Sequence, residues 1–222
     1  MKIIITGASG MVGKGLLHEA IDDANVDEIL LVNRRALNFD NPKVKELVVS
    51  DFLTIDEEKE KLSGYDVCFF CAGISAVGLS EEEYTKITYD ITLKFAKTFL
   101  EVNPEAKFVY VSGMGTDGTL QSRQMWARVK GKTENDLLQL GFKDAYMMRP
   151  AFIYPERGIK SRTKLYNIGI AIFSPFYPLL KKAKKVVTNS STLGKVMLHL
   201  ARNGNDKKVL ENIDINLIGE NI

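Results

Sequence analysis

The first thirteen residues constrain this chain more than any other stretch. Lys2-Ile3-Ile4-Ile5-Thr6 is an apolar run of strand length, and Gly7-Ala8-Ser9-Gly10-Met11-Val12-Gly13 follows at once and opens a helical pattern. A buried strand that turns this sharply into a helix is the first half of a strand–helix–strand unit, which calls for a parallel sheet. Gly7 permits the sharp turn, Gly10 lets backbone approach a pyrophosphate, and Gly13 lets the helix pack closely on the sheet. The helix N-terminus adds unpaired N–H groups and the positive end of its dipole, so Ser9, Gly10, Met11, Val12 and Gly13 are expected to hold phosphate. The spacing is G-x-x-G-x-x-G, and its place at the first strand–helix junction carries more weight than the glycines themselves.

The same rhythm continues. Apolar runs at Glu28–Asn33, Lys45–Val49, Asp66–Cys71, Lys107–Ser112 and Ala145–Arg149 read as strands. Helical patterns lie near Gly10–Ile21, Ile55–Leu62, Glu81–Glu101 and Arg123–Leu140, long enough for the crossovers that parallel strands require. The expected fold is α/β, a Rossmann-type doubly wound parallel sheet with a small C-terminal helical elaboration. At 222 residues, with 45% apolar and 26% charged side chains, the chain suits one globular domain over 1–222. Within it, 1–155 reads as the nucleotide-binding core and 156–222 as a C-terminal lid and last strand. That tail, with a helix from about Ser191 to Arg202 and a last strand over Lys208–Ile218, is expected on the carboxyl edge of the sheet.

The second strand ends Leu31-Val32-Asn33-Arg34-Arg35. A site for NAD usually places a carboxylate there for the ribose hydroxyls. Two arginines instead suit a 2′-phosphate, which a guanidinium grips through its planar fork, so NADP(H) is expected over NAD(H). Past the third strand, Asp51 and Phe52 are placed to bracket the adenine. Cys68 and Cys71 have C-x-x-C spacing, but in a strand positions three apart point to opposite faces, which argues against a shared metal. A net charge of +2 gives no field to recruit nucleic acid.

With the turn, the arginines and Asp51 in place, the chain resembles the extended and atypical short-chain dehydrogenase/reductase superfamily. The nearest branches are the NAD-dependent epimerase/dehydratases and the Tat-interacting-protein-like oxidoreductases. The resemblance implies that Cys71, Ala72 and Gly73 stand for the Asn-Ala-Gly element lining the cofactor, and that Ser112 stands for the catalytic serine. It implies that Arg149-Pro150 borders the nicotinamide with its backbone, and that Thr88 replaces an asparagine of the fourth helix. The Tyr-x-x-x-Lys helix maps onto Trp126 and Lys130, four apart and so on one face. Lys130 can still bind ribose, but an indole N–H does not usefully ionise, so the proton relay is broken at its central member. On this resemblance Ser112, Lys130 and Trp126 are the candidate catalytic positions. Ile87, Ile91, Phe95 and Phe99 are spaced to pack the fourth helix on the sheet.

Two functions follow. One is an NADP(H)-dependent oxidoreductase or epimerase-like enzyme on a small carbonyl or quinone substrate. The other is an NADP(H)-sensing or partner-binding regulator without turnover. His18 and His199 form no ligand set, and no metal is expected. Residues 164–185 are apolar, with Lys181, Lys182, Lys184 and Lys185 at their end, and read as a substrate lid or subunit contact, with an anionic membrane as the alternative. The N-terminus lacks the apolar core and cleavage site of a secretory signal, which gives a cytoplasmic expectation.

Overall fold

The computed structural model describes residues 1–159, Tyr177 and 183–222. Among the described residues the nine strands are β1 (Lys2–Thr6), β2 (Glu28–Asn33), β3 (Val44–Val48), β4 (Val67–Phe70), β5 (Lys107–Val111), β6 (Asp144–Arg149), β7 (Phe152–Tyr154), β8 (Val187–Asn189) and β9 (Val209–Glu211). Seven of them form one sheet in the order β3-β2-β1-β4-β5-β6-β9, with every pairing parallel. β7 and β8 make a separate parallel pair. The helices are α1 (Met11–Asp22), α2 (Glu81–Thr85), α3 (Ile91–Val102), α4 (Met125–Leu138), α5 (Ser190–Asn203) and α6 (Asn212–Gly219).

Strand alternation builds two cores. Ile3, Ile5, Ile29, Leu31, Val67 and Phe69 point to one face, under Leu16, Leu17 and Ala20 of α1 and Leu193, Val196 and Met197 of α5. Ile4, Leu30, Val32, Cys68 and Phe70 point to the other, under Phe95 and Phe99 of α3. Cys68 belongs to the second core while Cys71 packs beside the first, so the C-x-x-C pair does face opposite ways. Among the described residues no cluster of three metal-ligating side chains occurs.

Three expectations are corrected. Residues 208–218 are not one strand: β9 is short, and Glu211 and Asp214 cap each other reciprocally to start α6, with the Glu211 N–H donating to Asp214 Oδ2 at 2.8 Å. The stretch read as helix over Ile55–Leu62 is a 3₁₀ helix over Phe52–Leu62, started by Asp51 accepting from the Leu53 N–H at 2.9 Å. Ile87 is exposed rather than packed, because a π turn over Lys86–Asp90 separates α2 from α3 and shifts the buried stripe to Tyr84, Thr88 and Thr92. The tail also divides differently from the expectation. α5 lies across α1 on a sheet face, so close that a Cβ at Gly194 would sit 3.0 Å from Leu16 Cα, and β9 becomes the edge strand beside β6. The apolar segment Lys164–Leu180 lies outside the described residues apart from Tyr177. No described helix is long and apolar enough to cross a membrane.

Candidate functional site

Between β1 and β4 the order of strands reverses, and crevices at the carboxyl ends of such strands are where α/β sheets bind ligands. Both loops that leave these strands carry sequence-predicted residues, and they touch. Gly7, at φ +68°, has no room for a side chain: a Cβ would lie 2.7 Å from Ala72 Cα. Thr6 Oγ1 accepts from the Ala72 N–H at 3.2 Å and ties Cys71-Ala72-Gly73 to the glycine turn. Inside the turn the Gly10 N–H donates to the Gly7 carbonyl at 2.9 Å, and a Cβ at Gly13 would lie 2.5 Å from that same oxygen. Gly10 caps α1 without a side-chain hydrogen bond, and no acidic residue occupies the first turn. This twelve-residue helix thus offers its N-terminal N–H groups and dipole to an anion.

At the carboxyl end of β2, Arg34 and Arg35 are exposed directly after Asn33. Asn33 is buried, and its Nδ2 has no hydrogen-bond partner among the described residues. An orphaned buried donor costs about 1–3 kcal/mol, so its position beside the cleft fits a ligand oxygen that would satisfy it. Asn33 was not picked out from the sequence, although its place as the last residue of β2 is the signal that marks it. Asp51 stays exposed, whereas the Phe52 ring is buried and stacked on Phe95 with centroids 5.8 Å apart. Bracketing of an adenine by that ring is therefore corrected. Together the uncapped helix, the side-chain-free turn and the unpartnered amide fit a dinucleotide.

The chemical end of the cleft differs from the expectation at Ser112. This residue is 6% exposed, and its hydroxyl lies 2.5 Å from Glu134 Oε1 and 3.1 Å from the Met148 carbonyl. It is turned into a buried network instead of toward the cleft. Glu134 is 1% exposed and takes a fork of bonds from Arg149, with Nε at 3.0 Å and Nη2 at 2.5 Å, while Arg149 Nη1 reaches Glu211 at 2.9 Å. The position that faces the lysine is Gly113: a Cβ there would lie 4.0 Å from Lys130 Nζ and 3.9 Å from the Pro150 carbonyl. Lys130 Nζ donates to the Ser112 carbonyl. The indole of Trp126 is half-buried against the loop after β5, where a Cβ on Gly115 would lie 3.2 Å from its Cη2. Trp126, Lys130 and Glu134 recur every four residues along one face of α4, a stripe from which the sequence reading took only the first two.

Tyr84 and Tyr110 are almost fully buried, and loss of solvent holds both phenols protonated above the ordinary range. Burial pushes the Cys71 thiol up to about 12, which leaves it no thiolate chemistry at neutral pH. Lys130 shifts the other way. Loss of solvent lowers its ammonium to about 8, against a smaller upward pull from Glu134. Between about pH 8 and 10.5 the unfolded chain holds a proton at this site that the folded chain has released, so this residue's contribution to stability rises through that window. Lys130→Met is therefore expected to be more stable than the parent at pH 7, with an advantage that shrinks from pH 8 to 10.5. Urea titrations of both proteins across that range check it, and an advantage independent of pH contradicts a buried, titrating ammonium.

The model of the NAD dependent epimerase/dehydratase family matches residues 3–129, more than half of the chain. The chain belongs to this family. Members related to it include the mitochondrial protein FMP52 of Candida albicans, 32% identical over 161 residues that cover 71% of this chain and 69% of that one. Protein HTATIP2 of Rattus norvegicus is 28% identical over 157 residues, covering 70% and 64%. The chain spans about half to about two thirds of the length of such relatives. Among solved structures, the Bordetella bronchiseptica enzyme WbmF in complex with NAD+ aligns at TM-score 0.67 and 14% identity over 99% of this chain and 77% of that one. A short chain dehydrogenase from Burkholderia cenocepacia in complex with NADP aligns at 0.66 and 12%, over 99% and 91%. The family is thus that of the NAD dependent epimerase/dehydratases, and the fold is the one shared with these NAD+- and NADP-bound enzymes. The cytoplasmic expectation is corrected: relatives from Candida albicans and Debaryomyces hansenii, the latter matched over 88% of its length, are named as mitochondrial proteins.

Proposed function

We propose that this family member binds NADP(H) in preference to NAD(H) and uses it as an oxidoreductase whose site lacks the phenol of the usual relay. The observation that carries the reading is the carboxyl end of β2, where two exposed arginines follow a buried, unpartnered amide and no carboxylate stands. Arg34 grips the 2′-phosphate, with Arg35 beside it, and Asn33 Nδ2 donates to a ribose or phosphate oxygen. Ser9, Gly10, Met11, Val12 and Gly13 hold the pyrophosphate, and Asp51 receives the adenine amine. Cys71, Ala72, Gly73 and the backbone of Pro150 line the nicotinamide half, with Lys130 on its ribose. The bound dinucleotide supplies hydride chemistry, while this chain's residues orient it and set the charge around it.

Arg34→Ala tests the reading. A charge-assisted hydrogen bond contributes about 1.5–3 kcal/mol, so NADPH affinity should fall about tenfold to a hundredfold while NADH affinity stays within about threefold. Titration calorimetry on both proteins reads this, and equal losses for the two nucleotides sink the assignment. The absence of a phenol at Trp126 also favours a second reading, an NADP(H) sensor without turnover. Nucleotide binding with no consumption of NADPH by aldehydes, ketones, quinones or flavins distinguishes it.

A further inference from the structure

We infer that the electron acceptor at this site is a quinone, a flat apolar ring bearing conjugated carbonyls, rather than an isolated ketone, an aldehyde or a sugar. The inference rests on the reading that the site holds a reduced nicotinamide dinucleotide. Its first support is the demand for protons. Hydride delivered to an isolated carbonyl leaves an alkoxide, a base strong enough that such reductions need a positioned acid. Hydride delivered to a quinone leaves a hydroquinone anion, a phenolate with a pKa like that of tyrosine, about 10, which needs none.

The residues present match the second case. Trp126 presents an indole, Gly113 presents no side chain toward Lys130, and the Ser112 hydroxyl is committed to Glu134 and the Met148 carbonyl. Tyr84 and Tyr110 are packed away in the core. What remains beside Gly113 among the described residues is the ammonium of Lys130, suited to a developing phenolate. The balance is complete. One C–H bond of the dihydronicotinamide breaks, its hydride and electron pair pass to the quinone, the nicotinamide is oxidised, and the quinone is reduced. The remaining proton comes from Lys130, which regains one from water.

The second support is the rim. Ile74 and Val77 lie on the loop after β4, and Met114 and Leu120 on the loop after the neighbouring β5. All four are exposed, Val77 at 88%. Exposed apolar side chains on the two loops that leave neighbouring strands at their carboxyl ends suit apolar material, and the Trp126 indole, packed against Gly115 of the second loop, offers a face for an aromatic ring. A sugar would instead call for converging polar side chains.

The test uses the full chain with two calorimetric titrations and one rate comparison. NADP+ is titrated first, and then 2-methyl-1,4-naphthoquinone into the NADP+ complex, where no reduction can occur. The quinone should bind, and Val77→Ser or Met114→Ser should weaken it about tenfold without changing NADP+ binding. NADPH should be consumed with the naphthoquinone and at least about a hundredfold more slowly with 2-acetonaphthone, a gap that Trp126→Tyr should narrow by restoring a phenol. NADP+ binding with no quinone binding overturns the inference alone, as do equal rates with quinone and ketone. Failure of NADP(H) to bind at all overturns the cofactor reading and this inference with it.

Discussion

Gly13→Ala is expected to cost this protein its nucleotide and part of its stability. The added Cβ would lie 2.5 Å from the Gly7 carbonyl oxygen, 2.8 Å from its carbon and 2.9 Å from Ala8 Cα. All three are backbone atoms of the phosphate turn itself, so no flexible side chain can swing aside. The Gly7 carbonyl also accepts from the Gly10 N–H, so the displacement passes to the residue nearest the pyrophosphate. Overpacking of this kind costs about 1–3 kcal/mol of folding stability. Moving backbone donors out of hydrogen-bond range removes about 1.5–3 kcal/mol per charge-assisted bond, so NADPH affinity should fall at least about tenfold. Thermal unfolding and calorimetry on the purified variant measure the two losses, and unchanged NADPH binding would falsify the phosphate site.

Glu134→Ala should produce the largest loss of stability in the molecule. Glu134 is the buried member of a network joining β5, β6, α4 and β9, through Ser112, Arg149 and Glu211. Its removal leaves the Arg149 guanidinium with only the more exposed Glu211, and the Ser112 hydroxyl with only the longer bond to the Met148 carbonyl. Breaking a buried pair by deleting one partner costs about 3–5 kcal/mol, a large share of the 5–15 kcal/mol that holds a typical domain together. Replacing both partners with Glu134→Leu and Arg149→Met should recover much of that loss, because no charge is then left buried alone. Urea denaturation at pH 7 gives all three values. A loss below about 1 kcal/mol for the single variant would place this network among weak surface pairs.

Much of the scaffold was legible because its strands are uninterrupted apolar runs stopped by turn residues. β1 and β2 begin and end where the sequence places them, and Cys68 and Cys71 fall on opposite sides of the sheet as alternation requires. The errors have local causes. A helical wheel assumes the same rotation at every residue, and the π turn over Lys86–Asp90 breaks that assumption at Ile87. Residues 208–218 look like one strand because the cap that divides them is made by two carboxylates, Glu211 and Asp214, rather than by serine or threonine.

The chemical site shows how sharply one residue of register matters. Neighbouring strand-end positions point opposite ways, so Ser112 and Gly113 cannot both face Lys130, and the sequence does not say which one does. Packing does, by pairing Ser112 with Glu134. The place of Asn33 at the end of β2 was legible, but the orphaning of its amide was not: a missing hydrogen-bond partner is a property of three-dimensional surroundings, whereas Arg34 and Arg35 announce themselves by charge.

The most direct measurement is a titration of the wild-type protein with NADPH and NADH, following the fluorescence of Trp126, its single tryptophan, and the heat released on the same samples. The account predicts saturable binding of both nucleotides with NADPH at least about tenfold tighter, the share expected of a guanidinium fork on a 2′-phosphate. NADH binding as tightly as NADPH, or no heat and no quenching with either nucleotide, would contradict it.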